Sequence, residues 1–132
     1  MSTHELTDEI RAFLRKPLPC VIATLGKKGQ PVTAATWYVL QDDDTILLNI
    51  EVGRARLRHV AADPRVALTI LGESWYHAVS VQGTVVEVRD DPDMTDIDRV
   101  ARHYTGKEYP VRDKERVSMI VTIDSVFTWN VK

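Results

Sequence analysis

Arginine is concentrated in one short stretch of this chain. Arg54-Ala55-Arg56-Leu57-Arg58-His59 follows Gly53 and opens a segment with Leu57, Val60 and Ala61 at helical spacing. A helix start presents free backbone N–H groups and the positive end of the helix dipole. Arginines placed there make charge-assisted, two-pronged bonds to phosphate. The chemistry on offer is anion binding. In a regular helix Arg54 and Arg58 share a face and Arg56 points elsewhere, so a pocket requires Arg56 on an irregular first turn. The alternative is a solvated basic surface, or pairing with Asp63 and the acidic turns.

Two further segments can meet a ligand. Between Gln30 and Tyr38 the residues Pro31, Thr33, Ala34, Ala35 and Thr36 are small or polar, and a strand with small side chains lets a flat molecule approach its backbone. Trp37 and Tyr38 stack on such a molecule or serve packing. Trp75-Tyr76-His77 is amphipathic and follows a glycine-containing loop. It either binds a ligand or seals one end of the domain or a subunit contact.

Self-sufficient catalysis finds no residues. His4, His59, His77 and His103 lack metal-ligand spacing, and Cys20 is the one cysteine, so no metal site is expected. Cys20 sits in an apolar run and reads as core. Ser74, Ser80, Ser118 and Ser125 lack the glycine-flanked elbow of a hydrolase. Gly26-Lys27-Lys28-Gly29 lacks the length and helix context of a phosphate loop. Asp42, Asp43 and Asp44 read as a solvated turn. An enzyme with this sequence therefore needs a cofactor to supply the reactive atom, and no side chain is assigned as catalytic.

The elements that must position these residues are mostly strands. Leu6, Ile10, Phe13 and Leu14 predict a first helix, capped by Thr7 and ended by Pro17 and Pro19. Strands are expected over residues 20–25, 31–40, 45–50, 65–71, 75–89, 117–123 and 127–131. The first two are joined by a hairpin turn at 26–29, and Gly83 marks a bulge or bend in the longest. A second helix is expected over 54–62. A third has Asp91 as cap, Pro92 at its first position and Gly106 at its stop. Six or seven hairpin-linked strands with three helices favour an antiparallel barrel over alternating parallel βαβ units.

The bulk composition agrees. The 132 residues are 44% hydrophobic and 27% charged, which suits one globular domain over residues 1–132. A net charge of −2 gives no global basic field of the kind that binds nucleic acid. No apolar run approaches the roughly 18 residues of a membrane span. The N-terminal residues carry no apolar leader core, and a cytoplasmic address is expected.

The run Ala23-Thr24-Leu25, Gly29-Gln30-Pro31-Val32-Thr33 and Trp37-Tyr38, then Gly53-Arg54-Ala55-Arg56, Asp63-Pro64-Arg65-Val66-Ala67-Leu68 and Val81-Gln82-Gly83-Thr84-Val85, resembles the split-barrel flavin-binding superfamily. That superfamily includes pyridoxamine-phosphate oxidase and the reductases that use the deazaflavin coenzyme F420. The pattern is similar to the F420 branch in chain length and in its Gly-Arg-Ala-Arg run. It differs in having Arg56 where lysine is common and Ala35 where proline is common. The resemblance implies a mainly β (α+β) fold, a six-stranded antiparallel split barrel with short helices. It also implies a homodimer with cofactor sites at the subunit interface. It places the cofactor phosphate at Arg54 and Arg56, with Ala55 between them also cofactor-binding, the ring system along Thr33, Ala34 and Thr36, and Asn49 and Ile50 in the same groove. Trp75, then Trp129, are the aromatics expected from the partner chain. The implied activity is that of an F420-dependent oxidoreductase, carrying a hydride from the reduced deazaflavin to a small unsaturated or electron-poor substrate. An FMN-dependent oxidase or reductase and a non-catalytic F420 or flavin carrier are the alternatives.

Overall fold

The computed structural model describes the backbone of residues 2 and 3 and all of residues 5–132; Met1 and the His4 of the histidine survey lie outside the described residues. The elements run β1 (Ser2–Thr3), α1 (Asp8–Leu14), β2 (Cys20–Leu25), β3 (Pro31–Thr36), β4 (Val39–Leu40), β5 (Ile46–Glu51), α2 (Ala55–Ala62), β6 (Arg65–Leu71), β7 (Ala78–Asp90), α3 (Thr95–Thr105) and β8 (Arg116–Trp129). All strand pairs are antiparallel. The hydrogen-bonded order is β3-β2-β6-β7-β8-β5-β4, with β1 joining β8 from the side. The path thus holds seven strands, not six, and it is open. The strands beyond the expected long ones are the two-residue pairings β1 and β4.

The two edges of this path, β3 and β4, are consecutive in the chain, with Trp37 and Tyr38 alone between them. Laid flat, edges seven strands apart would stand roughly 29 Å from each other at the usual strand spacing. Three Cα steps reach roughly 11 Å at most. The sheet is therefore rolled, its ends tied by the chain instead of by a ladder. Tyr38 points inward and is fully buried. Its hydroxyl lies 2.7 Å from the Leu14 carbonyl oxygen and 3.1 Å from that of Lys16, which locks the corner to the end of α1. Thr7 caps α1 as expected, accepting from the Ile10 N–H at 3.1 Å.

Alternation along β5 sorts two apolar layers. Ile46, Leu48 and Ile50 face the interior of the rolled sheet with Ile22, Leu68, Val79, Val81 and Met119. Leu47 faces outward with Val39, Val100 and Ile120, where α3 covers the sheet beside Trp37 and Tyr104.

Several boundaries differ from the sequence expectation, each for a local reason. The strand expected over 31–40 breaks at Trp37–Tyr38, where the chain passes from one edge of the sheet to the other. The strand expected from residue 75 begins at Ala78. The preceding residues form a turn closed by Gly72 N–H to His77 O (2.7 Å) and His77 N–H to Ser74 O (3.1 Å). The segments 117–123 and 127–131 belong to one 14-residue strand that ends at Trp129. The polar Asp124-Ser125 pair imitates a turn, but the register jumps there from Gly83↔Ile123 to Gln82↔Ser125, so Asp124 is the extra residue of a bulge. Residues 26–29 form a 3-10 turn with Lys28 at φ 58°. Helix α3 begins at Thr95 with Met94 in the N-cap position, so Pro92 lies before the helix instead of at its first position; Asp91 caps it from outside, accepting from Asp96 N–H (3.0 Å) and Ile97 N–H (2.9 Å). Among the described residues no helix is long and apolar enough to cross a membrane.

Gly83 at the bulge has no room for a side chain. A Cβ there would collide with the Thr122 carbonyl oxygen and sit 2.7 Å from Val121 Cγ1. Gly83→Ala is expected to destabilise the fold by about 1–3 kcal/mol, the usual cost of overpacking. A urea denaturation midpoint equal to that of the native chain would contradict this.

Candidate functional site

The outer layer under α3 opens into a groove of about 630 Å³, a size that takes a small organic molecule. Cys20 and Val21 from β2, Ala35 and Thr36 from the end of β3, Trp37 just after it, Asn49 from β5, Arg56 from α2, Tyr104 from α3, Tyr109 from the following loop and Arg116 from β8 all border it. A smaller adjoining recess of about 160 Å³ shares Asn49, Arg56, Tyr109 and Arg116 and adds Ile50, Glu51 and Arg54.

Two arginines dominate the electrostatics. Arg56 stands in the first turn of α2 and is half-buried, with no ion pair or hydrogen bond among the described residues. Burial, and secondarily the positive charge of Arg54, lowers its guanidinium from the ordinary arginine value. It nonetheless stays charged. A partly desolvated cation beside a like charge gains from any anion that enters. Arg54 is in a different state. It is the N-cap residue, mostly exposed, and its guanidinium donates to Glu51 Oε2 at 3.0 Å. The other guanidinium without an ion pair among the described residues that borders both spaces is Arg116. Its Nε donates to Asn49 Oδ1 at 2.7 Å, and its head lies 4.7 Å from the Tyr109 ring centroid.

Asn49 is the hub behind this surface. It is buried, and its amide donates to Asp91 Oδ2 (3.1 Å) and Ser118 Oγ (3.0 Å) while its oxygen receives Arg116. Ser118 in turn donates to Asp96 at 2.7 Å. The carboxylate that caps α3 therefore also orients Asn49, and through it Arg116.

The walls are aromatic. Trp37 lies flat against Tyr104, with centroids 5.1 Å apart and planes at 13°, and edge-on to Tyr109 at 6.3 Å. The Tyr104 hydroxyl donates to Leu18 O at 2.8 Å and receives the Tyr38 N–H at 3.3 Å. Tyr109 is placed by Asp98, which accepts the Tyr109 N–H at 3.0 Å and the Arg112 guanidinium at 2.6 Å. Cys20 is on the groove but inert, because burial pushes its thiol up to about 12.

Of the residues expected at the site, the structure brings together Thr36, Asn49, Arg54 and Arg56. Ile50 borders the recess, while its side chain belongs to the interior core. Ala55 is exposed between the two arginines. Thr33 and Ala34 lie on β3, paired with Ala23 and Ile22, and border neither space. Trp75 is 81% exposed in the β6–β7 turn, and Trp129 packs on Phe127 at 4.5 Å at the far end of β8. Neither reaches the groove of its own chain. His77 packs edge-on against Phe13 at 4.9 Å, and Tyr76 is exposed; both are away from the groove. Sequence reasoning missed Tyr104, Tyr109 and Arg116. Tyr104 reads as part of an apolar stripe. Tyr109 sits in a charged loop, and Arg116 stands one residue before an expected strand, with no motif around it.

The pyridoxamine 5'-phosphate oxidase family matches residues 6–130. No curated protein sequence matches the chain. Among solved structures, one described as an F420 reductase has a TM-score of 0.84 at 22% identity, over 92% of this chain and 98% of that one. A conserved hypothetical protein of Mycobacterium tuberculosis has a TM-score of 0.75 at 24% identity, over 95% and 85%. General stress protein 26 of Bacillus anthracis has a TM-score of 0.73 at 10% identity, over 95% and 94%. At these identities the likeness establishes the fold.

The clasp on Tyr109 has a definite pH dependence. The hydrogen bond from Arg112 first, helped by the Tyr109 N–H and opposed by burial, holds the Asp98 carboxyl below its ordinary range. A carboxyl lowered in the folded state stabilises above its unfolded pKa, about 4, and loses that contribution as pH falls through the lowered folded value. Hydrogen-exchange protection of the Tyr109 amide should therefore hold from neutral pH into the ordinary carboxylate range and fall in stronger acid. Asp98→Asn should reduce it about tenfold already at neutral pH, as expected for losing a charge-assisted bond. Unchanged protection in that variant would show that the loop is held by something else.

Proposed function

Because the chain belongs to the pyridoxamine 5'-phosphate oxidase family, we propose that it is an F420H2-dependent reductase acting on a small unsaturated or electron-poor substrate. The family is one of flavin- and deazaflavin-binding, oxidoreductase-like proteins. The observation that carries the reading is the half-buried Arg56 without an ion pair among the described residues, on a groove with flat aromatic walls. A phosphate-bearing aromatic cofactor requires those two features together. The solved F420 reductase, with the same fold over nearly the full length of both chains, supports the deazaflavin over FMN.

The residues present fit such a group. Arg56 is positioned for the phosphate, and Arg54, already engaged by Glu51, adds a weaker field. Thr36 and Trp37, where β3 turns inward, offer backbone and an aromatic face for a ring system. When bound, the reduced cofactor ring supplies the hydride. The chain's own task is to hold ring and substrate in register and to keep water from the apolar wall. His77 and Tyr76 do not line the groove of their own chain, so within one chain they take no part in proton movement there. A second copy of the chain would bring the exposed Trp75, Tyr76, Phe127 and Trp129 under cover, and the protein is proposed to act as a homodimer.

Titration of the purified protein with F420 and with FMN tests the cofactor. F420 is expected to bind at least about tenfold more tightly, or 1.4 kcal/mol; the reverse order would transfer the protein to the FMN class. Arg56→Ala should weaken that binding about ten- to hundredfold, the worth of a charge-assisted bond. Arg54→Ala should cost less, and Arg58→Ala less than twofold. Equal losses at all three positions would mean that α2 offers only a diffuse field. In steady-state turnover with saturating reduced cofactor, His77→Ala and Tyr76→Phe should keep at least about a tenth of kcat, a barrier change below about 1.4 kcal/mol.

A further inference from the structure

Among the described residues Arg116 is held unlike any other arginine. One nitrogen, Nε, is fixed to Asn49 Oδ1 at 2.7 Å, and Asn49 cannot turn away because its amide is already bound to Asp91 and Ser118. One face of the guanidinium rests on the Tyr109 ring, 4.7 Å from its centroid. The terminal nitrogens Nη1 and Nη2 are thereby presented in a set orientation, and among the described residues they meet no carboxylate. Three of the acids nearby are engaged elsewhere. Glu51 stands opposite Arg116 in the β5–β8 ladder, yet it binds Arg54 at 3.0 Å. Asp98 binds Arg112 at 2.6 Å, and Asp91 receives Asn49 and the first amides of α3.

A guanidinium fixed at Nε and over one face, with two parallel N–H groups free, matches the two oxygens of a carboxylate. Its surroundings are flat and apolar, with Tyr109 beneath it and Trp37 edge-on to Tyr109 at 6.3 Å. The same fork would accept two oxygens of a phosphate; it is the aromatic walls beside it that favour a planar anion joined to a ring. We propose that Arg116 anchors the carboxylate of a flat conjugated acid, the second ligand of the groove and the molecule to be reduced. This rests on the reading of the groove as a flavin-class cofactor site, in which Arg56 takes the cofactor phosphate. The acidic tail of a deazaflavin has the same chemistry as such a carboxylate, and the test separates the two.

Calorimetric titration of the full chain, without cofactor, compares 2-naphthoate with 2-naphthamide, which has the same shape and no charge. The naphthoate is expected to bind at least tenfold more tightly. Arg116→Gln should bring the two within about twofold of each other while the naphthamide affinity stays put. Arg116→Lys should restore part of the preference, since it returns the charge without the fork. Arg56→Ala should leave the preference intact. Equal or undetectable binding of both probes to the native chain overturns the proposal, as does a preference that survives Arg116→Gln. Affinities of F420 and FMN for Arg116→Gln identify the source of the anion. Both unchanged supports the substrate carboxylate, whereas a tenfold loss confined to F420 assigns Arg116 to the cofactor tail and overturns the substrate assignment. The naphthoate comparison uses no cofactor, so its outcome is independent of the F420 titration.

Discussion

Everything in this molecule depends on the two residues that tie one edge of the sheet to the other. Because β3 and β4 are adjacent in the chain but at opposite ends of the hydrogen-bonded path, the sheet must roll, and Trp37 and Tyr38 must make the turn. Alternation sends them opposite ways. Tyr38 goes inward, where its hydroxyl meets two carbonyls at the end of α1. Trp37 goes outward and becomes the wall of the groove, flat against Tyr104. The closure of the fold and the aromatic surface of the site are thus one event, and the Tyr38 N–H to Tyr104 Oη bond joins them directly.

The polar side of the groove is organised by burial. Asn49, Asp91 and Ser118 are removed from water, where an unmade hydrogen bond would cost about 1–3 kcal/mol each, and their mutual bonds satisfy them. The same Asp91 carboxylate receives two amides at the start of α3. Helix position and arginine orientation are therefore coupled: a shift of α3 would disturb Asp91, then Asn49, then Arg116. A network satisfied in this way holds a charged head more rigidly than surface contacts do.

Charge is partitioned just as locally. Arg54, Arg65, Arg89 and Arg112 each have a carboxylate and belong to the ordinary surface, where such pairs contribute little. Arg56 and Arg116 have none among the described residues, and both face the groove. A chain of net charge −2 thus acquires an anion-seeking cavity through the pairing of its arginines, with no excess of them.

By itself the sequence determined the mainly β class, the three helices, the core strands and the arginine run at the start of α2. These follow from signals between near neighbours: period-2 and helical apolar spacing, Thr7 as a cap, Pro17 and Pro19 as a stop, Gly106 at a left-handed helix end. It also led to the family through motifs in order. Other features were decided only in three dimensions. Asp124 reads as a turn residue, and only its partner strand makes it a bulge. Arg54 and Arg56 are indistinguishable in type and differ because Glu51 lies within reach of one of them while the other is half-buried against the groove. Arg116, Tyr109 and Asn49 are far apart in the chain, and no spacing rule connects them. Their meeting depends on β5–β8 register and on the Asp98 clasp. Sequence patterns report which face a residue takes on its own element; which side chains then share a cavity is set by pairings between distant segments, and those carry no local signature.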